Sequence, residues 1–304
     1  MEQKTVGGSM NRFGRISRPA NAAITTFLGI VTLLIAIPFF LVCAISFTDS
    51  EAIQKYGYSF WPKQWSLAAY QSIFEDGAIF KSFGTTIIIT VIGTVIGVFL
   101  MSTFAYTLSR KGYAYRRFLS RYSLIPMLFS GGMIGNYIVV VNVLGLRNSI
   151  WSLILPLCMS TFSIMVLRTF YQMSVPDSLI ESAYMDGANE WLIYFKIVLP
   201  LSLPGLATIA LFLTLGYWND WFSALLYTDN NELIPLQYML MKMESNIEFI
   251  SSNASKMGMT ESGALPTESI KMAVVVVSTL PILIVYPFFQ KYFIGGLTVG
   301  AVKE

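Results

Sequence analysis

Long apolar runs constrain this chain more than any other feature of its sequence. Hydrophobic residues make up 55% of its 304 residues and charged residues only 12%, and the mean hydropathy is +0.61. A soluble domain carries about 25% charged residues, so this chain has too little polar surface to fold in water. About 20 apolar residues cross a bilayer as a helix. The runs therefore predict an all-α integral membrane protein with six transmembrane helices, at 22–47, 83–109, 119–144, 149–171, 199–227 and 270–293.

The basic residues predict which ends of the spans face the cytoplasm. Lys and Arg are concentrated in the N-terminal tail, at 110–121 and at the edges of the segment between the fourth and fifth spans. Cytoplasmic loops of membrane proteins carry this excess of basic residues. We therefore expect a cytoplasmic tail at 1–21, one membrane domain at 22–304, both termini in the cytoplasm and an external loop at about 228–269. No small-residue cleavage site follows the first span, which is expected to be a retained anchor.

The sequence offers little for catalysis or metal binding. It contains no histidine, the commonest metal ligand and general base. Its two cysteines, Cys43 and Cys158, fall inside apolar runs, where buried thiols are usual. It also lacks the Gly-x4-Gly-Lys loop that binds nucleotide phosphates. We expect no metal site, no cofactor bound by this chain, no nucleic-acid partner and no enzymatic activity.

The segment at 174–198, between the fourth and fifth spans, is amphipathic where its neighbours are apolar. A helix start is predicted at Ser174-Val175-Pro176-Asp177, with serine as the cap and an acid near the helix N-terminus. Gly187 can adopt the positive φ that ends a helix, and Asn189 can cap a second helix. We expect two short helices on the cytoplasmic face. These patterns alone leave open an ordinary amphipathic helix that lies in the membrane interface.

One pattern in the 174–198 segment is more specific. Its members stand at fixed spacing: Glu181, Ser182, Ala183, Asp186, Gly187, Ala188, Ile197, Leu199 and Pro200. The pattern resembles the signature loop of permease subunits of ATP-binding-cassette importers, in the form common among carbohydrate importers. Ser182 stands where that family more often has alanine. Residues 286–303 are similar to the ending of the second permease of maltose-type importers, although Glu304 replaces the usual terminal glycine.

The resemblance implies a type I importer permease fold and a set of partners. The chain would form a heterodimer with a second permease subunit and bind two cytoplasmic ATPase subunits, which would hold the ATP and Mg²⁺. An extracellular solute-binding protein would deliver a carbohydrate, expected to be an oligosaccharide, to this multi-pass protein of the cell membrane. The resemblance assigns ATPase coupling to Glu181, Ser182, Ala183, Asp186, Gly187 and Ala188. It assigns a contact between the C-terminal tail and the ATPases to Gly300, Ala301, Val302 and Lys303.

A polar and aromatic motif lies inside the fifth predicted span at Tyr217, Trp218, Asn219, Asp220 and Trp221. An acid inside a span requires a partner or water, so Asn219 and Asp220 are candidates for a polar substrate path. The two tryptophans are candidates for stacking on sugar rings. Asn136 and Tyr137, beside the glycine-rich part of the third span, are further candidates. A purely structural hydrogen-bond network is the alternative for this motif.

Other transporter classes fit the sequence less well. An ion-coupled secondary transporter or a channel, acting without an ATPase, needs buried charges along its path. Asp220 is essentially the one charge of this kind in the predicted spans. Copurification separates the two hypotheses, because only an importer subunit is expected to bring an ATPase and a second permease with it.

Overall fold

The computed structural model describes residues 18–75, 77–253 and 267–301, and helices make up most of this part of the chain. The α-helices are α1 (Arg18–Ser46), α2 (Ser50–Tyr56), α3 (Ala68–Phe74), α4 (Ala78–Ser109), α5 (Arg116–Leu128), α6 (Gly132–Tyr137), α7 (Ile150–Ile154), α8 (Thr161–Ser174), α9 (Asp177–Met185), α10 (Glu190–Ile193), α11 (Leu199–Leu201), α12 (Leu203–Trp218), α13 (Phe222–Tyr227), α14 (Leu236–Asn253) and α15 (Thr267–Ala301). Shorter π and 3-10 helical segments lie at Ile138–Val143, Leu155–Leu157, Tyr194–Val198 and Asn231–Leu233. The β-pairing within the described ranges is an isolated bridge between Thr48 and Trp65. The all-α prediction is confirmed.

Within the described ranges, three single helices are long and apolar enough to cross a membrane: Pro19–Ser46 of α1, all of α4, and Glu268–Pro287 of α15. They correspond to the first, second and sixth predicted spans. Up to six crossings are reached if each of three bent helix pairs counts as one. The predicted count of six agrees with this upper value, while the orientation of the termini stays a prediction.

The bends fall where the backbone hydrogen bonds of a helix are interrupted. The third predicted span bends by 119° between α5 and the helix at Gly132–Val143, and Gly132 adopts a φ of +70° there. The fourth bends by 51° just before Ser160, whose hydroxyl accepts the amide hydrogen of Ser163 and caps α8. The third bent pair joins Glu190–Leu201 to Leu203–Trp218 at 82°, so it begins before the fifth predicted span. That span is broken a second time, because α12 ends at Trp218 and α13 begins at Phe222.

The described residues form two compact units, and the smaller one comprises those in 1–70 and 265–276. Within it, the Asp49 carboxylate accepts the amide hydrogen of Glu51 at 3.0 Å and caps α2. The hydroxyls of Ser50 and Ser269 lie 2.7 Å apart, and Tyr58 donates to Glu268 at 3.0 Å. These bonds join α2 and the segment after it to the first turn of α15.

The larger unit comprises the described residues in 71–264 and 277–304, and α4 packs there against α8 and α12. Two glycines of α4 permit this close approach. A Cβ at Gly93 would overlap the ring of Tyr217. A Cβ at Gly97 would lie 2.5 Å from Leu213 Cδ2 and 2.9 Å from the carbonyl oxygen of Cys158. Small residues at such positions let membrane helices approach closely.

Replacing Gly93 by alanine is expected to lower the free energy of unfolding by about 1–3 kcal/mol, the usual cost of overpacking a tight core. The ring of Tyr217 cannot move away freely, because its hydroxyl donates to the Ile154 carbonyl oxygen at 2.7 Å. Thermal unfolding of the detergent-purified chain measures the effect. Gly84→Ala is the matched control in the same helix, since a Cβ there meets nothing within 4 Å. Equal unfolding temperatures for Gly93→Ala and Gly84→Ala would contradict the close packing.

Candidate functional site

The 174–198 segment folds as two short helices, as predicted. α9 ends at Met185, and Gly187 follows with a φ of +79°. The amide of Ala188 donates to the Ala183 carbonyl oxygen at 2.9 Å, a bond that closes the end of α9. Asn189 caps α10, because its side-chain oxygen accepts the amide hydrogen of Leu192 at 2.8 Å.

The predicted serine cap of the first helix is wrong. Ser174 is the last residue of α8, which ends with the amide of Val175 donating to the Tyr171 carbonyl oxygen at 3.1 Å. The residue that precedes α9 is Pro176, and no side-chain hydrogen bond caps this helix. The acid is placed as predicted, with Asp177 in the first turn, whereas Pro176, predicted in the first turn, precedes the helix.

One face of the α9–α10 region is buried against α4, α8 and α12. Ile180 and Ala183 of α9 join the apolar core of these helices, together with Ile193, Tyr194 and Val198. The inward position of Ala183 indicates that this predicted coupling residue serves packing. The two short helices are thus fixed to the transmembrane helices by a continuous hydrophobic contact.

Glu190 adds a polar attachment between the two short helices and the end of α4. Its carboxylate accepts hydrogen bonds from the hydroxyls of Tyr106, on α4, and Tyr184, on α9. Arg110 donates to the Tyr184 hydroxyl at 3.3 Å and lies 5.8 Å from the ring centre of Tyr106. Burial and the hydrogen bond to Glu190 raise the pKa of Tyr184, so its hydroxyl remains a donor at neutral pH. We call these four residues the Glu190 cluster.

A second attachment lies at the start of α9. Lys111 Nζ is 2.5 Å from Asp177 Oδ2, and this hydrogen bond lowers the pKa of the Asp177 carboxyl. Both side chains are largely exposed. Such an exposed pair contributes little to stability, and it joins the start of α9 to the turn after α4.

The opposite face of the α9–α10 region is exposed and polar. Glu181, Ser182, Asp186 and Gly187 are exposed, and Met185 is 89% exposed. Ser182 uses its hydroxyl internally, donating to the Ser178 carbonyl oxygen at 2.9 Å. In the part of the chain that the structure describes, neither the Glu181 nor the Asp186 carboxylate makes a hydrogen bond or an ion pair. We call residues 181, 182, 185, 186 and 187 the outer surface of the 174–198 segment.

Sequence reasoning missed the Glu190 cluster. It did not single out Glu190, and it counted Arg110 and Lys111 only toward orientation. The available signal was the spacing of Tyr106 and Arg110, four residues apart in the last turn of a long apolar helix. That spacing places both side chains on one face, but it does not name the partner on that face.

The motif predicted to lie in the substrate path has a buried part, Tyr217 and Trp218, and a more exposed part that begins at Asn219. Tyr217 and Trp218 are only 2% and 8% exposed, and the Trp218 indole donates to the Ser278 carbonyl oxygen at 3.2 Å. Asp220 lies at the break between α12 and α13, where it accepts the amide hydrogens of Phe222 and Ser223, each at 3.1 Å. These amides are hydrogen-bond partners of the kind that an acid inside a predicted span requires.

The remaining candidates for the substrate path are more accessible. Asn219 and Trp221 are exposed beside Asp220, and Asn136 is exposed on α6. Tyr137 is half-buried, and its ring stacks on Tyr227 with 6.4 Å between centroids. A role of any of these residues in sugar passage stays a prediction.

Two further predicted contact regions are described only in part. Gly300 and Ala301 are the last residues of α15, whereas Val302 and Lys303 lie outside the described residues. The predicted external loop contains the 3-10 segment at Asn231–Leu233, α14 and the first residues of α15, and its residues 254–266 lie outside the described part. Arg147 pairs with Asp229 at 2.6 Å and Lys81 pairs with Glu232, so two ion pairs hold the beginning of this loop.

A protein-family model described as "Binding-protein-dependent transport system inner membrane component" matches residues 103–299. The chain belongs to this family. The predicted family and the multi-pass membrane location are thereby confirmed, and the matched residues include the Glu190 cluster and the whole 174–198 segment.

Relatives of this inner membrane component cover nearly its whole length. It is 43% identical over 278 residues to the polygalacturonan/rhamnogalacturonan transport system permease protein YtcP of Bacillus subtilis (strain 168), covering 91% of this chain and 96% of the relative. It is 39% identical over 277 residues to Protein LplC of the same organism, covering 91% and 92%. The fold is also similar to a chain in a solved structure of a bacterial ABC transporter involved in the import of the acidic polysaccharide alginate. The two chains superpose with a TM-score of 0.78 and are 29% identical, and the match covers 92% of this chain and 99% of the other. The fold is that of type I importer permeases.

Proposed function

We propose that this inner membrane component is the permease subunit of an ATP-driven oligosaccharide importer. It forms half of the translocation pathway together with a second permease subunit. The proposal depends above all on the outer surface of the 174–198 segment, which presents unpaired carboxylates beside a sharp turn. Family membership favours this function over an ion-coupled transporter or a channel.

The structure supports a mechanical mode of coupling. Two cytoplasmic ATPase subunits bind ATP and Mg²⁺ and carry out hydrolysis, and this chain performs no catalysis. One of them contacts the outer surface, with Glu181 placed to pair with a basic side chain. The buried face of α9 and the Glu190 cluster then transmit the ATPase movement to α4 and α8. Rigid-body motion of the packed helices gives alternating access.

The relatives indicate the substrate class to be tested first. The relative YtcP is named for the transport of polygalacturonan and rhamnogalacturonan, and the importer of known structure takes part in the import of the acidic polysaccharide alginate. We therefore propose oligosaccharides, beginning with uronate-bearing ones, delivered by an extracellular solute-binding protein. The exposed Asn219, Trp221 and Asn136 are the proposed sugar contacts, and they offer amide groups and an aromatic face.

Affinity purification from native membranes in mild detergent tests the function. The tagged chain is expected to recover a second permease and an ATP-hydrolysing subunit. Glu181→Ala is expected to keep the second permease but weaken ATPase binding by about tenfold or more, because a hydrogen bond between charged groups contributes about 1.5–3 kcal/mol.

Glu244→Ala provides the matched control for this experiment. Glu244 is an exposed acid on α14, within the predicted external loop. Its removal is expected to leave ATPase recovery unchanged. Recovery of the chain without any ATPase, or equal ATPase recovery by Glu181→Ala and Glu244→Ala, would contradict the proposed coupling.

A further inference from the structure

A strongly basic cavity lies beside the end of α4, apart from the outer surface of the 174–198 segment. Its volume is about 670 Å³, and it is formed by the turn after α4, the first two turns of α5 and one residue of α8. The lining side chains that bear on its chemistry are Lys111, Arg116, Arg117, Ser120, Arg121 and Arg168. Among the described residues, no acid lines it, and Lys111 is paired with Asp177 outside the lining. The four arginines that face this space repel each other unless an anion lies among them.

The arginine side chains of this cavity have few partners in the protein. Arg168 donates to the Ser120 hydroxyl at 3.4 Å, while its buried Nε–H has no hydrogen-bond partner among the described residues. The four ion pairs between described residues involve none of the four arginines. Guanidinium groups bind phosphate and carboxylate in a bidentate manner. The free donors of the cavity therefore suit a phosphate-bearing ligand.

The surface next to the cavity indicates where that phosphate comes from. α5 begins at Arg116 and continues into an apolar face with Phe118, Tyr122 and Ile125. All three are more than half exposed, and the rings of Phe118 and Tyr122 stack with 6.2 Å between centroids. A free phosphate needs no apolar surface. A phospholipid does, because its acyl chains continue from the headgroup into the bilayer.

We propose that this cavity binds the headgroup of an anionic phospholipid, with the acyl chains lying along the exposed face of α5. The basic residues belong to a loop whose charge predicts a cytoplasmic position, the side on which basic pockets bind anionic lipids. The lipid offsets the repulsion between Arg116, Arg117, Arg121 and Arg168. It also stabilises the turn that carries Lys111, the partner of Asp177 in the 174–198 segment.

Native mass spectrometry of the purified full chain in neutral detergent tests the proposal. The chain is incubated separately with phosphatidylglycerol and with phosphatidylcholine, and the bound fractions are compared. Each basic residue near an anionic surface contributes about fivefold to affinity. The Arg117→Gln/Arg121→Gln variant is therefore expected to bind phosphatidylglycerol roughly 25-fold more weakly. Both side chains are exposed, so the variant is expected to fold.

The Lys55→Gln/Lys63→Gln variant is the matched control, because it removes the same charge from exposed residues of the smaller unit. It is expected to bind phosphatidylglycerol as the wild type does. Equal binding of the two lipids by the wild type would overturn the proposal, as would equal losses in the two variants. A thermal-shift series with inorganic phosphate distinguishes the sources: stabilisation by phosphate alone, equal to that by phosphatidylglycerol, would overturn the lipid assignment. ATPase recovery does not enter these measurements, so they are independent of the proposed coupling.

Discussion

Replacing Gly187 by proline is expected to reduce sugar uptake by the assembled transporter to background while the chain remains inserted in the membrane. Gly187 has a φ of +79°, whereas proline fixes φ at about −65°. The variant therefore cannot form the turn between α9 and α10 with its present geometry. Glu181 and Asp186 would lose their positions relative to each other. Uptake and ATP hydrolysis, measured together in proteoliposomes, show whether hydrolysis continues without transport.

Gly187→Asn is the control for this experiment. Asparagine enters the left-handed region more readily than other residues with a side chain, and a Cβ at this position meets nothing within 4 Å. We expect this variant to retain most of the uptake. Comparable uptake by the proline and asparagine variants would show that the backbone geometry of the turn is not needed for coupling.

The second large effect is expected from Glu190→Ala. Loss of its carboxylate leaves the hydroxyls of Tyr106 and Tyr184 without their acceptor. A hydrogen bond to a charged group contributes about 1.5–3 kcal/mol, and because Glu190 is exposed we expect a total loss of about 2–4 kcal/mol in unfolding free energy. The sugar molecules imported per ATP hydrolysed should fall as well, since α9 and α10 lose a fixed connection to α4. Chemical unfolding and paired uptake and hydrolysis assays measure the two effects.

Glu190→Gln and Tyr106→Phe separate the role of this contact from general damage. Glutamine keeps one acceptor oxygen and the shape of the side chain, so an intermediate effect is expected. In a double-mutant cycle, Tyr106→Phe and Glu190→Ala should deviate from additivity by about 0.5–3 kcal/mol, as contacting residues do. Strict additivity, with an unchanged ratio of uptake to hydrolysis, would argue against the Glu190 cluster as a connection.

Local patterns were sufficient to predict some elements of this chain and insufficient for others. The apolar runs predicted the long helices α1, α4 and α15, because about 20 apolar residues have one stable arrangement in a bilayer. Gly187 and Asn189 predicted the turn and the cap in the 174–198 segment, because both effects are local. Glycine permits a positive φ at its own position, and the asparagine side chain accepts an amide hydrogen three residues further along the chain. The break at 219–221 was missed, since Asp220 was considered as a charged group inside a span and not as the acceptor for the first amides of a new helix.

Features that depend on packing between distant parts of the chain could not be predicted in the same way. The Glu190 cluster joins residues 84 positions apart, Tyr106 and Glu190. The inward position of Tyr217 depends on Gly93, which lies on another helix. A run of aromatic residues beside an acid looks the same in the sequence whether its side chains line a substrate path or pack in a core. Composition and spacing therefore identified the motif at 217–221 without deciding its orientation.

The acids of the 174–198 segment are divided between two surfaces, with consequences for how such a subunit can change over evolutionary time. Asp177 and Glu190 are committed to partners within the chain, whereas Glu181 and Asp186 face outward. In the proposed importer, an ATPase needs to match only the small outer surface of this chain, whichever sugar is transported. One ATPase could then serve several importers, and the rest of each permease could diverge without a compensating change in the ATPase.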